Sequence, residues 1–256
     1  MNKIIYERFV LVVILFLSIS VISFSCIGCA SANHEQDIVV SVHEKKINNF
    51  VFLKTPIIHN SGINDQFAAA SGLILKTSDT HIFVITANHF CSPAQYYDQH
   101  EYYISTHLGA KRITCHNRGR TRDLTIIASD NENDICLLTG SIFTNESFKQ
   151  VMLSENMPKV GEKVYTVSAP NGLYSPNVSL LFDGYFAGCE DDGKCVFTLP
   201  ATTGSSGAGI YNMSGELISI VLLVPPEFKH IAIGPNISLI KDLINKFEAE
   251  TSLESK

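Results

Sequence analysis

Ile82-Phe83-Val84-Ile85-Thr86-Ala87-Asn88-His89 is a run of apolar and β-branched residues that ends on a histidine. Such side chains fit a pleated, buried surface, so 82–86 reads as an interior strand. His89 falls just past its end, where a side chain can face a cleft. Downstream, Asn133-Asp134-Ile135-Cys136-Leu137-Leu138 puts a carboxylate where the polar loop Asp130-Asn131-Glu132-Asn133 runs into a second buried strand. Gly204-Ser205-Ser206-Gly207-Ala208-Gly209 then forms a glycine-rich loop leading into Ile210-Tyr211. The chain order is His, Asp, Ser. A hydroxyl is a poor nucleophile near neutral pH; an imidazole that takes its proton and a carboxylate that orients the imidazole make it a good one.

Each of these residues also has a plain reading. His89 alone could be a solvated turn histidine, Asp134 a turn residue with Asp130 as its nearest rival for the acid, and the glycine-serine loop a flexible turn. Their combination carries the argument and makes His89, Asp134 and Ser206 the candidate catalytic residues. Glycines permit backbone conformations in which successive N–H groups converge on one point. The amides of Gly204 and Ser206 are therefore the candidate donors to a developing oxyanion.

Working outward, apolar or alternating runs separated by Gly, Asn, Asp and Pro recur at 50–54, 72–76, 102–105, 123–128, 135–138, 163–168, 179–187, 196–199, 209–212 and 217–224. No segment between them has a long helical period. The chain thus reads as all-β, without the crossover helices of a parallel sheet. A helix over about 237–249 is expected at the end, capped by Asn236-Ile237-Ser238 and striped by Leu239, Ile240, Leu243, Ile244 and Phe247, with 251–256 as a polar tail.

The 256 residues are 45% hydrophobic and 17% charged, enough to bury a full core. A net charge of -6 with no cluster among the 19 Lys and Arg leaves a nucleic-acid partner without an electrostatic footprint. Residues 1–32 are of another kind. Lys3 and Arg8 precede an apolar run from Phe9 to Phe24, followed by Cys26-Ile27-Gly28-Cys29-Ala30-Ser31-Ala32. Three export readings stay open: a signal cleaved after Ala30-Ser31-Ala32, a lipoprotein signal at Cys29, or an uncleaved membrane anchor. All three put the bulk of the chain outside the cytoplasm, secreted, periplasmic or membrane-attached through the N-terminus; 33–49 is a leader segment.

Beyond that leader stand Cys91, Cys115, Cys136, Cys189 and Cys195. Cys189 and Cys195 flank a polar loop and read as a hairpin disulfide in an oxidising compartment. Cys136, inside an apolar run, reads as a small buried residue. The Cys and His spacing offers no metal site, and no cofactor motif occurs.

Ser71-Gly72-Leu73-Ile74-Leu75, Ile85-Thr86-Ala87-Asn88-His89, Asn133 to Leu138, Gly204 to Ile220 and Ile231 to Pro235 together resemble the trypsin and chymotrypsin superfamily, most closely the bacterial high-temperature-requirement proteases. The resemblance spans about 50–247. It implies a protease domain at 50–250 made of two packed antiparallel β-barrels, at about 50–145 and 150–234, with a C-terminal helix. It implies a serine endopeptidase with His89, Asp134 and Ser206 in the cleft, acting on protein or peptide substrates through an acyl-enzyme.

Departures carry expectations of their own. The second glycine after the nucleophile is Ala208. Ser205 replaces the Asp that in digestive members captures a freed N-terminus, so activity should not depend on a new α-amino group. The family cysteine beside the histidine is displaced to Cys91, with no partner near Gly72, so that disulfide is expected to be absent. The specificity pocket should be walled by Leu199 to Thr203 and Leu222 to Val224, with Pro200, Thr202, Leu222 and Val224 facing substrate. No acid lies at its base to pair a Lys or Arg, and Val224 in place of a common Gly favours a small aliphatic residue.

Two competing readings remain. One is a catalytically inactive relative that keeps the barrels as a binding protein; its mark is loss of a triad member, and none is lost. The other, an α/β-hydrolase esterase, needs the order Ser, Asp, His and a final Gly where Ala208 stands.

Overall fold

In β3 (His81–Ala87) six of seven residues are buried or half-buried because the strand has neighbours on both edges. Its partners are β2 (Gly62–Thr77) and β6 (Ile135–Ser141), both antiparallel, with Ile85 opposite Leu73 on one side and Leu137 on the other. Together with β1 (Phe50–His59), β4 (Ile113–Asn117) and β5 (Arg120–Asp130) they close a barrel in the order β1-β2-β3-β6-β5-β4. The computed structural model describes residues 48–59, 62–91, 113–143 and 148–254. Residues 1–47, with the leader, and the expected strand at 102–105 lie outside the described residues.

A second six-stranded sheet runs β11-β10-β7-β8-β9-β12, built from β7 (Lys163–Ser168), β8 (Leu180–Cys189), β9 (Lys194–Phe197), β10 (Gly209–Asn212), β11 (Leu217–Ile220) and β12 (Ala232–Pro235). The chain leaving β11 curls it toward closure, because Leu222 N–H and Leu223 N–H both donate to Ile233 C=O while Ile233 N–H returns to Leu223 C=O at 2.8 Å. The result is a double barrel of the chymotrypsin type.

Each barrel has its own core. Val51, Leu53, Ile74, Ile82, Val84 and Leu138 fill the first; Val164, Phe186, Phe197, Ile210 and Ile218 fill the second. Between them Phe50 and Phe52 of β1 pack with Val167 and Ala169, and the rings of Phe52 and Tyr174 stack at 5.0 Å.

Strand β4 has no counterpart among the sequence-predicted strands. It alternates buried Ile113, Cys115 and Asn117 with half-buried Thr114 and His116, so its buried face carries polar Asn117. That side chain donates to the carbonyls of Asn48 and Phe50, a tertiary bond that no local pattern announces.

The cysteine reading needs one correction. Cys136 is bonded to Cys91 rather than being a lone buried residue. Cys91 lies in α1 (Asn88–Cys91), the helical turn that follows β3, and Cys136 in the neighbouring β6. Cys189 and Cys195 are bonded across the β8–β9 hairpin. Cys115 stays free within the first core, where burial pushes its thiol up to about 12 and so keeps the reactive thiolate scarce.

Helix α2 (Ile237–Glu254) runs past the expected end at 249. Asn236 Oδ1 accepts from Ser238 N–H at its start, and Ile237, Ile240 and Leu243, three residues apart, are buried. A Lys76–Glu248 ion pair ties its far end to β2.

Candidate active site

His89 and Asp134 meet at the rim of the first barrel. Ala87 of β3 pairs with Ile135 of β6, so the residues just beyond each strand end face one another. Asp134 Oδ2 lies 2.7 Å from His89 Nδ1, and Oδ1 accepts His89 N–H at 2.6 Å. Asn88 N–H adds a bond to the Asp134 carbonyl at 2.8 Å. A carboxylate only accepts, so the proton in this contact is carried by Nδ1. The side chains are 18% and 27% exposed, so the pair is partly withdrawn from solvent.

Asp130, the rival acid, does other work. Its carboxylate accepts the N–H groups of Glu132 and Asn133 and the Asn133 side-chain amide. Partial burial works to raise its pKa, but these hydrogen bonds overcome it and hold the carboxyl below its ordinary value. Asp130 thus builds the turn that delivers Asp134, whose backbone adopts φ +56°. The Cys91–Cys136 bridge joins the same two segments two residues beyond His89 and Asp134, stapling the pair from inside the core.

The glycine-rich loop is defined by which of its peptide groups are already bonded. All four carbonyls from Thr203 to Ser206 are occupied: Thr203 by Asn171 N–H, Gly204 by Ser71 Oγ, Ser205 by Ala208 N–H, Ser206 by Ser71 N–H. Ser205 N–H donates to Thr202 C=O and Gly207 N–H to Val221 C=O. Among the described residues the N–H groups of Gly204 and Ser206 have no acceptor. Because the N–H and C=O of a trans peptide point opposite ways, anchoring the Thr203 and Ser205 carbonyls constrains the direction of those two N–H groups. Two fixed, unspent donors two residues apart, bracketing Ser205, form a concavity that suits an oxyanion.

The loop is pressed against the first barrel. A Cβ on Gly207, whose φ is +85°, would stand 2.2 Å from both Ser71 C=O and Thr86 Oγ1. Thr86, on β3, is three residues before His89, so Ser206 rides on a loop in contact with the strand that leads to the imidazole. The structure's contacts join His89 to Asp134; the link from Ser206 Oγ to the imidazole belongs to the function proposed below. Ala208, at the position of the missing glycine, is wholly buried in the second core and donates its N–H to Ser205 C=O at 3.0 Å.

Pro200, Thr202, Leu222 and Val224 are each half-buried, the first two just ahead of this loop and the last two just past β11, and Val224 packs against the second core. Leu199 corrects the expected pocket wall: it is fully buried in that core and has no surface to offer a substrate. A separate pocket of about 360 Å³, lined by Phe50, Asn117, Arg118, Tyr174 and Pro176 among others, contains none of the candidate site residues.

The model of the trypsin-like peptidase domain matches residues 70–220, and the chain belongs to that family. It is a serine-type endopeptidase by family, and its substrates are proteins or peptides. Its fold is similar to that of a serine endoprotease from Yersinia pestis, with 19% identity and a TM-score of 0.60 over 82% of this chain and 66% of that one. It is likewise similar to the active form of the Rv3671c protease from M. tuberculosis, with 11% identity and a TM-score of 0.59 over 80% and 83% of the two chains. An inactive mutant form of Rv3671c gives a TM-score of 0.57 at 11% identity, over 81% and 90%. No curated protein sequence matches this chain.

Proposed function

We propose that the chain is an exported serine endopeptidase that cleaves peptide bonds through His89, Asp134 and Ser206. The observation that carries this reading is the 2.7 Å contact of His89 Nδ1 with Asp134 Oδ2, beside a loop whose two unspent N–H groups flank Ser205. His89 Nε2 takes the proton of Ser206 Oγ as that oxygen attacks the scissile carbonyl. The carbonyl oxygen, now negative, sits against the N–H groups of Gly204 and Ser206, where one lost donor typically costs about 3 to 4 kcal/mol of transition-state binding. The imidazolium, stabilised by Asp134, gives its proton to the departing amine. Water then attacks the acyl-enzyme with His89 again as base, regenerating Ser206. Burst kinetics on an activated ester test this: a burst equal to the enzyme concentration, absent in Ser206→Ala, is the expected outcome, and an equal burst in the variant overturns it.

The loop needs no external charge to hold its shape. Ser205, buried where digestive relatives carry Asp, bonds Thr202 on both its backbone and its hydroxyl. Activity is accordingly independent of a freed α-amino group, which enzyme with alternative N-termini checks. Pro200, Thr202, Leu222 and Val224 bound the substrate pocket and favour a small aliphatic residue before the cut; a peptide-library profile dominated by Lys, Arg or aromatic residues contradicts this. Export rests on the apolar leader together with the two disulfides, which persist in oxidising compartments. Fractionating cells and measuring the mature N-terminus tests it.

A further inference from the structure

The loop that presents Ser206 belongs to the second barrel, yet two of its four anchored carbonyls are held by one residue of the first. Ser71 lies in β2 and is wholly buried. Its Oγ donates to Gly204 C=O at 2.8 Å and accepts Ala169 N–H at 3.0 Å, while its N–H donates to Ser206 C=O at 2.8 Å. Its own carbonyl accepts Thr86 Oγ1 at 2.8 Å. A hydroxyl has one proton to give, and here both its donor and its acceptor capacity go to backbone groups, so its rotor has one satisfied orientation.

We propose that Ser71 is a positioning residue for catalysis: its hydroxyl fixes the Gly204–Ser205 peptide and thereby the direction of the N–H groups on either side of it. This deepens the reading of Gly204 and Ser206 as oxyanion donors and rests on it. The physical case is one of alternation. The Thr203–Gly204 and Ser205–Ser206 peptides present the two free N–H groups, and the peptide between them is the hinge about which both would turn. That hinge is held by Ser205 N–H on Thr202 C=O at one end and by Ser71 Oγ on Gly204 C=O at the other. Among the described residues Ser71 is the sole side chain donating to a carbonyl of 203–207; the other anchors are backbone N–H groups. Thr86, bonded to the Ser71 carbonyl, lies on β3, which leads directly into the turn bearing His89. Ser71 therefore stands between the imidazole's strand and the nucleophile's loop and sets one against the other.

The test compares Ser71→Ala, which deletes the hydroxyl, Ser71→Cys, which keeps its volume with a weak donor, and Ser71→Thr, which restores it. Each variant is measured per titrated active site for kcat, KM and the affinity of a peptide boronic acid, whose tetrahedral adduct occupies the oxyanion position. The expected result is a kcat lower by about 10- to 100-fold in Ser71→Ala and Ser71→Cys, a parallel loss of boronate affinity, and an unchanged KM, since the group acts on the transition state alone. In Ser71→Thr both quantities recover to within about threefold of wild type. A lowered melting temperature with kcat and boronate affinity unchanged per site makes Ser71 merely structural and overturns the proposal, as does a loss confined to KM. Failure of the underlying reading looks different: wild-type enzyme itself then shows no boronate inhibition, or Ser206→Ala retains turnover.

Discussion

The two barrels contribute to the candidate site in different chemical currencies. The first supplies side chains: an imidazole and a carboxylate whose contact is fixed by two neighbouring strand ends. The second supplies chiefly backbone, a loop whose bonded peptide groups leave two N–H groups over. Side chains can be swapped one at a time, whereas a backbone donor is removed only by moving the chain that bears it. The two halves should therefore break in different ways.

On the side-chain half, Ser206→Ala and His89→Ala should each lower kcat by about 10⁴- to 10⁶-fold with little change in fold, read by hydrolysis and circular dichroism. Asp134→Asn should cost about 10⁴-fold, because an amide in place of the carboxylate favours the wrong imidazole tautomer. On the backbone half, Gly207→Ala should lose activity and stability together. Its φ of +85° disfavours a side chain, and the new Cβ would sit 2.2 Å from backbone and side-chain oxygens of the first barrel. Strain and clash should destabilise it by at least about 2 kcal/mol in urea unfolding.

The cysteine bridges sharpen the same contrast. Removing Cys91–Cys136, which closes a loop of 45 residues, should cost about 3 to 4 kcal/mol and loosen the His89–Asp134 pair. Removing Cys189–Cys195, which spans 6, should cost less and leave turnover intact. Paired Cys→Ser variants in denaturant titrations measure both. The smallest effect belongs to Asp130. Its folded carboxyl lies below the ordinary value, so its contribution is complete above about pH 4 and disappears as pH falls through the folded pKa. Asp130→Asn should flatten the acid side of the stability curve.

This contrast also explains what could be read from the sequence. The strands of continuous apolar character, 82–86 and 135–138, were legible because burial on both faces leaves a composition that nothing else needs. The acid and base stood at their ends with recognisable neighbours. Strand β4 was illegible because Asn117 spends its buried side-chain NH2 on carbonyls nearly 70 residues away. Ser71 was visible as part of a motif, but its role depends on distances to a loop more than 130 residues on. The Cys91–Cys136 bridge escaped for a similar reason: its partners become neighbours only once β3 and β6 pair in register, and an apolar setting around Cys136 looks the same for a free or a bonded sulfur.

The central claim is that one hydroxyl, activated from the first barrel and cradled by the second, is the nucleophile. Stoichiometric labelling with a fluorophosphonate, followed by mass spectrometry of the modified peptide, tests it most directly. The account predicts one label per chain, carried on Ser206, with labelling lost in His89→Ala. A label on another residue, or full labelling of Ser206→Ala, contradicts it.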